Sequence, residues 1–595
     1  MTRRPIWRWL GWFIAANAGL CFLIGLRYLL VYHWPDSAAG IVYPPIAMLG
    51  NFVLVTAFFV LVPCAPLLVM GPLRRSVMTV AVIVAALILA LLVLDANVYA
   101  ERHIHLSLLV AVLFEPATWM AGALVLVVAL LFEAVFAGML WRWLATRPRR
   151  GGRGIAMALA ACWALSQGMH IWADAVGYNA ITRFTQALPL YYPQTAKRAL
   201  ASLGVVDPER VRQARLMRRA TQEEDGELQY PLAPLQCEAA TQPPNVLWIV
   251  IDGLRPDAPD AALTPALVAF REQSQVFEDH WSAGNSSRMG AFAMFYGLPS
   301  TYFQSFYAAE KPPVLMDQFR RAGYALFAAD AVGFGSPTQM DRTVFAGVPE
   351  LRSGAGLGRV DGNRKATQEF VQWLGDRPED QPFFAMLWYN HSDLDIGEAG
   401  PALAPDGRYA ANPQAAASWL RYRRGLAVID GEVANALGAL DRTGGGAETL
   451  VLVMGDHGFE FDDLGLGYYG HASNYARYQL QTPLWMRWPG RAPRRHTHRS
   501  SHLDLPATLL QELFGCRNPP ADYGMGHNLF AGRSWEWMIA GSYHSYAIVE
   551  PDRILVVTPG GLAEVLDSRY RLIGDASLDA RLIAQALDAM RRFYR

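Results

Sequence analysis

Four short segments of this chain carry residues that can do chemistry together. Asp252 ends the run Asn245-Val-Leu-Trp-Ile-Val-Ile-Asp252-Gly253, and Ser286 lies in Gly284-Asn-Ser-Ser287. Gly455-Asp456-His457-Gly458 follows Leu450-Val-Leu-Val-Met454, and His391 follows Trp388-Tyr-Asn390. A further histidine, His471, comes a short loop after the Asp456-His457 pair. Two carboxylates, an imidazole and a hydroxyl that converge would hold a divalent cation against a nucleophile. Asp252, Asp456, His457 and Ser286 are the ligand candidates, and their oxygen and nitrogen donors suit Zn²⁺, Mn²⁺ or Mg²⁺. Ser286 is the nucleophile candidate, with Ser287 second. His391 and His471 are candidates for binding phosphate oxygens or protonating a leaving group, and Arg288 stands beside them in sequence. The plainer alternative is a set of buried acids capping strand ends.

The elements that must position these groups are legible in the apolar pattern. Continuous apolar runs at 245–251, 325–329, 382–389 and 448–454 predict buried parallel strands. Each acid or histidine follows such a run, at the edge where open α/β sheets gather their ligands. Thr264-Pro265 and Asp504-Leu-Pro506 mark helix starts. The pattern from Met289 to Leu298 predicts a helix whose first amides face an anion. Alternating strands and helices predict an α/β sandwich. The basic run Arg491 to Arg499, with His496 and His498, reads as an exposed loop.

Before residue 180 the chain is of another kind. Apolar stretches at 9–30, 46–70, 77–94, 118–141 and 155–173 are each long enough for a hydrocarbon core of about 20 residues. The first is too long for a cleaved signal peptide and lacks a small-residue cleavage site. Arg3, Arg4 and Arg8 precede the first span, Arg74 and Arg75 join the second to the third, and Arg142, Arg147, Arg149, Arg150 and Arg153 join the fourth to the fifth. The alternate loops, 31–45 and 95–117, hold only Arg102. This asymmetry puts the N-terminus inside and everything after the fifth span outside, in the periplasm of a bacterium. Asn17 and Asn51 are expected to join helices by hydrogen bonding. With Glu133 the one acid inside a span, no acid–base series points to a pump or channel.

The remaining composition is mostly restrictive. At 595 residues the chain exceeds one core, and its net charge of +0 gives no reason to expect nucleic acid as a partner. Lys197, Lys311 and Lys365 are its only lysines. Cys21, Cys64 and Cys162 fall in apolar runs, which leaves Cys237 and Cys516 as a possible disulfide in an oxidising compartment. The expected organisation is a membrane domain over 1–173, a juxtamembrane linker over 174–244 and an α/β domain over 245–595. In the linker, Arg210 to Arg219 reads as a basic helix.

The order Asp252, Ser286, Asp456-His457, each after a strand, resembles the alkaline phosphatase and sulfatase superfamily. Sulfatases carry a Cys/Ser-x-Pro-x-Arg motif, and Ser286-Ser-Arg-Met-Gly290 has no such proline. The site looks more like that of membrane-anchored phosphoethanolamine and lipoteichoic-acid transferases, with serine in place of their threonine. A resemblance to the YejM (PbgA) family extends over nearly the whole chain. It rests on Ile171-Trp-Ala-Asp-Ala175, Leu188-Pro-Leu190, Tyr192-Pro193 with Thr195-Ala-Lys-Arg198, Asp252-Gly-Leu254, Ser282 with Gly284-Asn285, and Phe295-Tyr-Gly297. The resemblance implies five transmembrane helices, a basic linker and a sulfatase-like periplasmic α/β domain. It further implies sensing of lipopolysaccharide at the periplasmic leaflet, restraint of proteolytic control of its synthesis through the membrane adaptor LapB and the protease FtsH, and contact of Lys197 and Arg198 with lipid A phosphates. An active phosphoester hydrolase or transferase on lipid-linked substrates is the alternative function, because the site residues named above are all present.

Overall fold

The computed structural model describes residues 4–30, 37–70, 74–102, 116–147, 152–176, 179–196, 228–238, 243–348, 351–378, 380–391, 400–543, 545–557, 563–573 and 579–594, with residues 34, 105, 106, 114, 200 and 203 besides. Lys197, Arg198 and the expected basic helix at 210–219 lie outside the described residues.

Five long helices come first: α1 (Arg4–Leu30), α2 (Ala38–Met70), α3 (Arg74–Arg102), α4 (Pro116–Thr146) and α5 (Gly152–Val176). All five are long and apolar enough to cross a membrane. α1 and α2 begin before the predicted stretches and end with them, and α3, α4 and α5 overrun theirs at both ends. At 33 residues, α2 is about 50 Å long, well beyond a hydrocarbon core of about 30 Å. Hydropathy marks only the part inside the bilayer, whereas backbone hydrogen bonding carries the helix into the headgroup layer. Of the two asparagines expected to join helices, Asn17 does so, whereas Asn51 ties α2 to the segment beyond α5. Asn17 of α1 donates through Nδ2 to Glu133 Oε2 of α4 at 3.3 Å, and Asn51 of α2 donates to the Pro189 carbonyl at 3.2 Å.

The soluble part is a sandwich around an eight-stranded sheet of order β10-β2-β9-β6-β1-β5-β3-β4. Its centre is formed by β6 (Thr449–Gly455), β1 (Asn245–Ile251), β5 (Phe383–Tyr389) and β3 (Ala325–Asp330), mutually parallel and nearly all buried. These are the four apolar runs of the sequence. On one side β9 (Leu484–Arg487) runs antiparallel to β6 and to β2 (Gln275–Trp281). The edge strand β10 (Arg494–Ser501) pairs in parallel with β2. This corrects the reading of Arg491 to Arg499 as a loop. An edge strand with one face in water carries polar side chains, so its sequence lacks the continuous apolar run of a central strand. On the opposite edge, the short β4 (Arg352–Ser353) pairs with β3.

Helices cover both faces. One face holds α6 (Ser287–Tyr296), and the other holds α8 (Pro413–Arg442). A second, four-stranded antiparallel sheet runs from β11 (Met538–Gly541) to β14 (Ala563–Asp567) and packs against α9 (Ala580–Arg591). Val98 of α3, with Leu106 and Phe114 of the loop after it, packs on that layer. Helix α7 (Phe303–Ala309) meets the turn Arg183–Ala187 beyond α5. Among the described residues, the α/β part thus meets the helical part through α3 with the residues after it and through the turn beyond α5. Cys237 and Cys516 are joined as a disulfide.

Candidate functional site

At the C-terminal edge of β1 and β6 the chain turns sharply, and the first residues past the strands are Asp252 and Asp456. Ligand atoms of Asp252, Asp456 and His457 lie within 4.8 Å of one another, and all three residues are buried. Asp456 Oδ1 accepts from the backbone N–H of Gly253 at 2.8 Å and of His457 at 2.9 Å. Asp252 Oδ2 accepts from Asn390 Nδ2 at 2.9 Å. Each carboxylate keeps one buried oxygen, Asp252 Oδ1 and Asp456 Oδ2, with no hydrogen-bond partner. Burial first, and then the charge of Asp252, pushes the Asp456 carboxyl well above the usual carboxylate range.

The histidine is oriented for ligation. His457 Nδ1–H donates to the Gly458 carbonyl at 2.8 Å, which leaves the lone pair on Nε2. That atom lies 3.5 Å from Asp252 Oδ1 and 3.4 Å from Asp456 Oδ2. Two buried carboxylate oxygens without a hydrogen-bond partner, beside an imidazole nitrogen, form a set of donors that a divalent cation would satisfy.

Ser286 is the N-cap of α6, with an extended backbone at φ −149° and ψ 155°. Serine at this position ordinarily caps the helix with its hydroxyl. Here the side chain makes no cap bond, and Oγ is buried without a partner. It is Ser287 that touches the histidine, with Oγ 3.3 Å from His457 Nε2. The loop before the helix is bound to the Asp456 segment by Ser282, whose hydroxyl lies 2.7 Å from both the Asp456 and Gly284 carbonyls. Close approach is enforced again at Gly290, where a Cβ would stand 2.2 Å from the Asp456 carbonyl oxygen.

The other candidates are near but differently engaged. His391 is buried, and its Nε2–H donates to the Tyr422 carbonyl at 2.7 Å. Its Nδ1 has no partner, and burial pushes its pKa down to about 4. It is therefore neutral near pH 7 and offers a lone pair rather than a proton. His471 stacks on His457 with ring centroids 4.5 Å apart. Arg288 donates through Nε to the Pro337 carbonyl at 2.6 Å, with its guanidinium beside the Phe303 and Tyr543 rings.

Two features escaped the sequence reading. Asp330 ends β3 as Asp252 follows β1, and an acid closing a buried apolar run was the available signal. Burial, with added repulsion from Asp252 and Asp456, raises its carboxyl to about 7 against the backbone N–H groups of Val332 and Gly333. His280 of β2 and His502 after β10 lie fully buried behind the site, and His502 Nε2–H donates to the Gly455 carbonyl at 3.1 Å. His280 lies on, and His502 directly follows, a polar strand that carries no apolar run.

Comparison with known proteins agrees with this architecture. Residues 2–237 match the family described as a domain of unknown function, DUF3413, and residues 244–515 match the sulfatase family. Inner membrane protein YejM of Salmonella typhimurium is 28% identical over 597 residues, covering 98% of this chain and 97% of that protein. An uncharacterized protein of Haemophilus influenzae is 27% identical over 555 residues, 91% of this chain and 88% of its own length. Among solved structures, an alkaline phosphatase superfamily protein from Vibrio parahaemolyticus aligns with a TM-score of 0.45 at 15% identity, covering 65% of this chain and 94% of that one. With a DUF3413 match over helices long and apolar enough to cross a membrane, a sulfatase-family match over the α/β domain, and similarity that runs from end to end, this chain is similar to the YejM inner-membrane proteins.

Proposed function

We propose that this protein senses lipopolysaccharide from the inner membrane and regulates its synthesis, with the sulfatase-like domain in the periplasm. The arginine asymmetry of the loops supports that orientation. The observation that carries the lipid reading is a cavity of about 1850 Å³ shared by the two parts of the molecule. Its membrane wall is apolar, with Phe58, Leu87 and Leu91 exposed on α2 and α3. Its other wall carries Arg288, Gln304 and Tyr543 of the soluble domain. Such a cavity suits an amphipath with acyl chains on one side and a polar headgroup on the other. Residues 188–196 cross it and lead directly into Lys197 and Arg198, cations suited to lipid A phosphates. LapB is the partner through which the signal would pass.

Asp252, Asp456 and His457 would hold the cation, Zn²⁺, Mn²⁺ or Mg²⁺, with Ser286 at its side. A bound cation supplies charge that lowers the pKa of a neighbouring hydroxyl. The uncapped, unpartnered Ser286 hydroxyl favours a second reading, a phosphoester hydrolase or phosphoethanolamine-type transferase on lipid-linked substrates. In that reading Ser286 attacks from the N-terminus of α6, whose dipole favours the anion. Neutral His391 accepts a proton or a hydrogen bond at Nδ1, and His471 holds the His457 ring in place.

Complementation of a deletion strain at matched expression separates the readings. The sensor predicts that Lys197→Ala with Arg198→Ala disturbs lipopolysaccharide content and detergent resistance while Ser286→Ala complements. Failure of Ser286→Ala beside a fully active linker variant replaces the sensor with the enzyme.

A further inference from the structure

The large cavity and the candidate cation centre draw on the same short stretch of chain. Arg288 and Met289, in the first turn of α6, line the cavity, and the buried Ser286 caps that same turn. The Arg288 guanidinium lies 5.3 Å from the Phe303 ring and 5.0 Å from the Tyr543 ring, both of which line the cavity as well. Its Nε donates to the carbonyl of Pro337, next to Ser336 of the cavity wall. The following residue but one, Gly290, is seated on the Asp456 carbonyl with no room for a Cβ. A single helical turn thus carries a cavity-lining cation and rests on the ligand loop.

A second connection runs through backbone. Tyr543 and Ser545 line the cavity from the turn between β11 and β12 (Tyr546–Val549). Gly541, at the end of β11, donates its N–H to the Ala283 carbonyl at 3.0 Å and accepts from Asn285 N–H at 3.1 Å. Asn285 passes the link to the loop that carries His471. Its carbonyl accepts from Ala472 N–H at 2.8 Å, and its Nδ2 donates to the Asn474 carbonyl at 2.8 Å. Ala472 is held at φ 62°, a left-handed conformation that a Cβ disfavours and that persists where neighbours impose it. Tyr475 closes the circuit, its hydroxyl 2.8 Å from Ser545 Oγ. On the other side of Ser286, the Ser282 hydroxyl donates to the Asp456 carbonyl at 2.7 Å.

We infer that the two sites bind cooperatively: an anionic lipid headgroup held at Arg288 and a divalent cation held by Asp252, Asp456 and His457 each tighten the other through α6 and the Ser286 loop. The inference deepens the function proposed above, and it rests on reading the cavity as a lipid site and the centre as a cation site. Its sign follows from two effects. The ligands carry opposite charges and attract. Both also order the same turn, so the second to arrive has less left to order. Arg288 touches the headgroup, whereas Ser282 and Asn285 are positioning residues that act through the loop. Because the coupling is a difference between binding free energies, it is the same measured from either ligand.

The test uses the full chain, stripped with EDTA, in phosphatidylcholine nanodiscs with and without dansyl-labelled lipid A. Mn²⁺ binding is read by electron paramagnetic resonance, and lipid A binding by energy transfer from tryptophan to dansyl. Asp456→Asn in the same nanodiscs measures the Mn²⁺ that lipid A takes up by itself, and this is subtracted. Lipid A should raise the Mn²⁺ affinity of wild type by about 5-fold or more, and Mn²⁺ should raise the lipid A affinity by the same factor. Arg288→Gln should weaken lipid A binding and bring both factors close to one. Ser282→Ala, which removes the bond to the Asp456 carbonyl, should lower the factors while both ligands still bind, and it decides the path if Arg288→Gln does not fold. Wild type that binds both ligands with factors near one overturns the coupling and leaves the two sites standing. Factors undiminished in Arg288→Gln and Ser282→Ala overturn the path through α6. Wild type that binds no lipid A overturns the lipid reading of the cavity, and wild type that binds no more Mn²⁺ than Asp456→Asn overturns the cation reading; either result removes the coupling too.

Discussion

Replacing Gly290 by alanine tests how closely α6 is pressed onto the ligand loop. Gly290 lies in the second turn of that helix, where a new Cβ would stand 2.2 Å from the Asp456 carbonyl oxygen, 3.0 Å from its carbon and 3.4 Å from its Cβ. Favourable contact between such atoms begins near 3.5 Å, so the helix and the loop must part by about 1 Å. Alanine gains about 1 kcal/mol in helix propensity, while overpacking of a filled interior costs about 1–3 kcal/mol. The net expectation is a loss of up to about 2 kcal/mol. The functional loss should be larger, because ligand distances tolerate only about 0.2 Å and a displaced Asp456 should weaken cation binding by about 10- to 100-fold. The control is Gly431→Ala in α8, an exposed position with nothing within 4 Å of the new Cβ. It should stabilise the protein by about 0.5–1 kcal/mol. The assay is thermal unfolding of the detergent-solubilised chain with and without EDTA, alongside Mn²⁺ binding. If Gly290→Ala melts no lower than Gly431→Ala and binds Mn²⁺ like wild type, the tight apposition of α6 and the Asp456 loop is refuted.

Further expectations concern the ligands, the orientation and pH. Asp456→Asn should lower divalent-metal content by about 10- to 100-fold, since it halves the pair of unpartnered carboxylates, and unchanged content would put the ion elsewhere. A reporter active only in the periplasm should be active when fused after residue 595 and silent near residue 148; the reverse pattern defeats the orientation drawn from the arginines. His502 is buried, and burial lowers its pKa to about 3 from an ordinary 6.5. The unfolded chain therefore binds the extra proton, and this group's contribution to stability, complete above about pH 6.5, falls by about 1.4 kcal/mol per unit as pH drops toward 3. His502→Gln keeps a donor for Gly455 and should flatten the acid side of the stability curve by about that slope; an unchanged slope would show that His502 does not carry it.

The parts of the fold that the sequence disclosed are those where one force acts alone. β1, β3, β5 and β6 are buried on both faces, so burial imposes an unbroken apolar run and the acids at their ends stand out. β2 and β10 satisfy two environments at once, and Gln275–Trp281 and Arg494–Ser501 mix charge, histidine and aromatic residues in a way that one-dimensional periodicity does not resolve. His280 and His502 were hidden for the same reason. Asp330 was missed although its run was recognised, because the sequence does not say which strand ends become neighbours; that follows from sheet order, β1-β5-β3, which is a product of packing. The tautomer of His457 and the uncapped hydroxyl of Ser286 likewise depend on partners brought in from elsewhere in the chain.

The disulfide between Cys237 and Cys516 has a mechanical consequence. The two cysteines are 279 positions apart, and the covalent ring they close contains the whole eight-stranded sheet and every ligand candidate of the site. A pull arriving from the membrane helices reaches residue 237 before it reaches β1, and there it is handed straight across to residue 516. Beside this, Leu228 bridges to Tyr594 at the far end of the chain. Tension between anchor and soluble domain is therefore carried by the C-terminal layer, which also touches α3 through Val98, and the sheet that carries the candidate cation site stays slack inside its loop. Reduction of that one bond would put β1, with Asp252 at its tip, directly in the line of force.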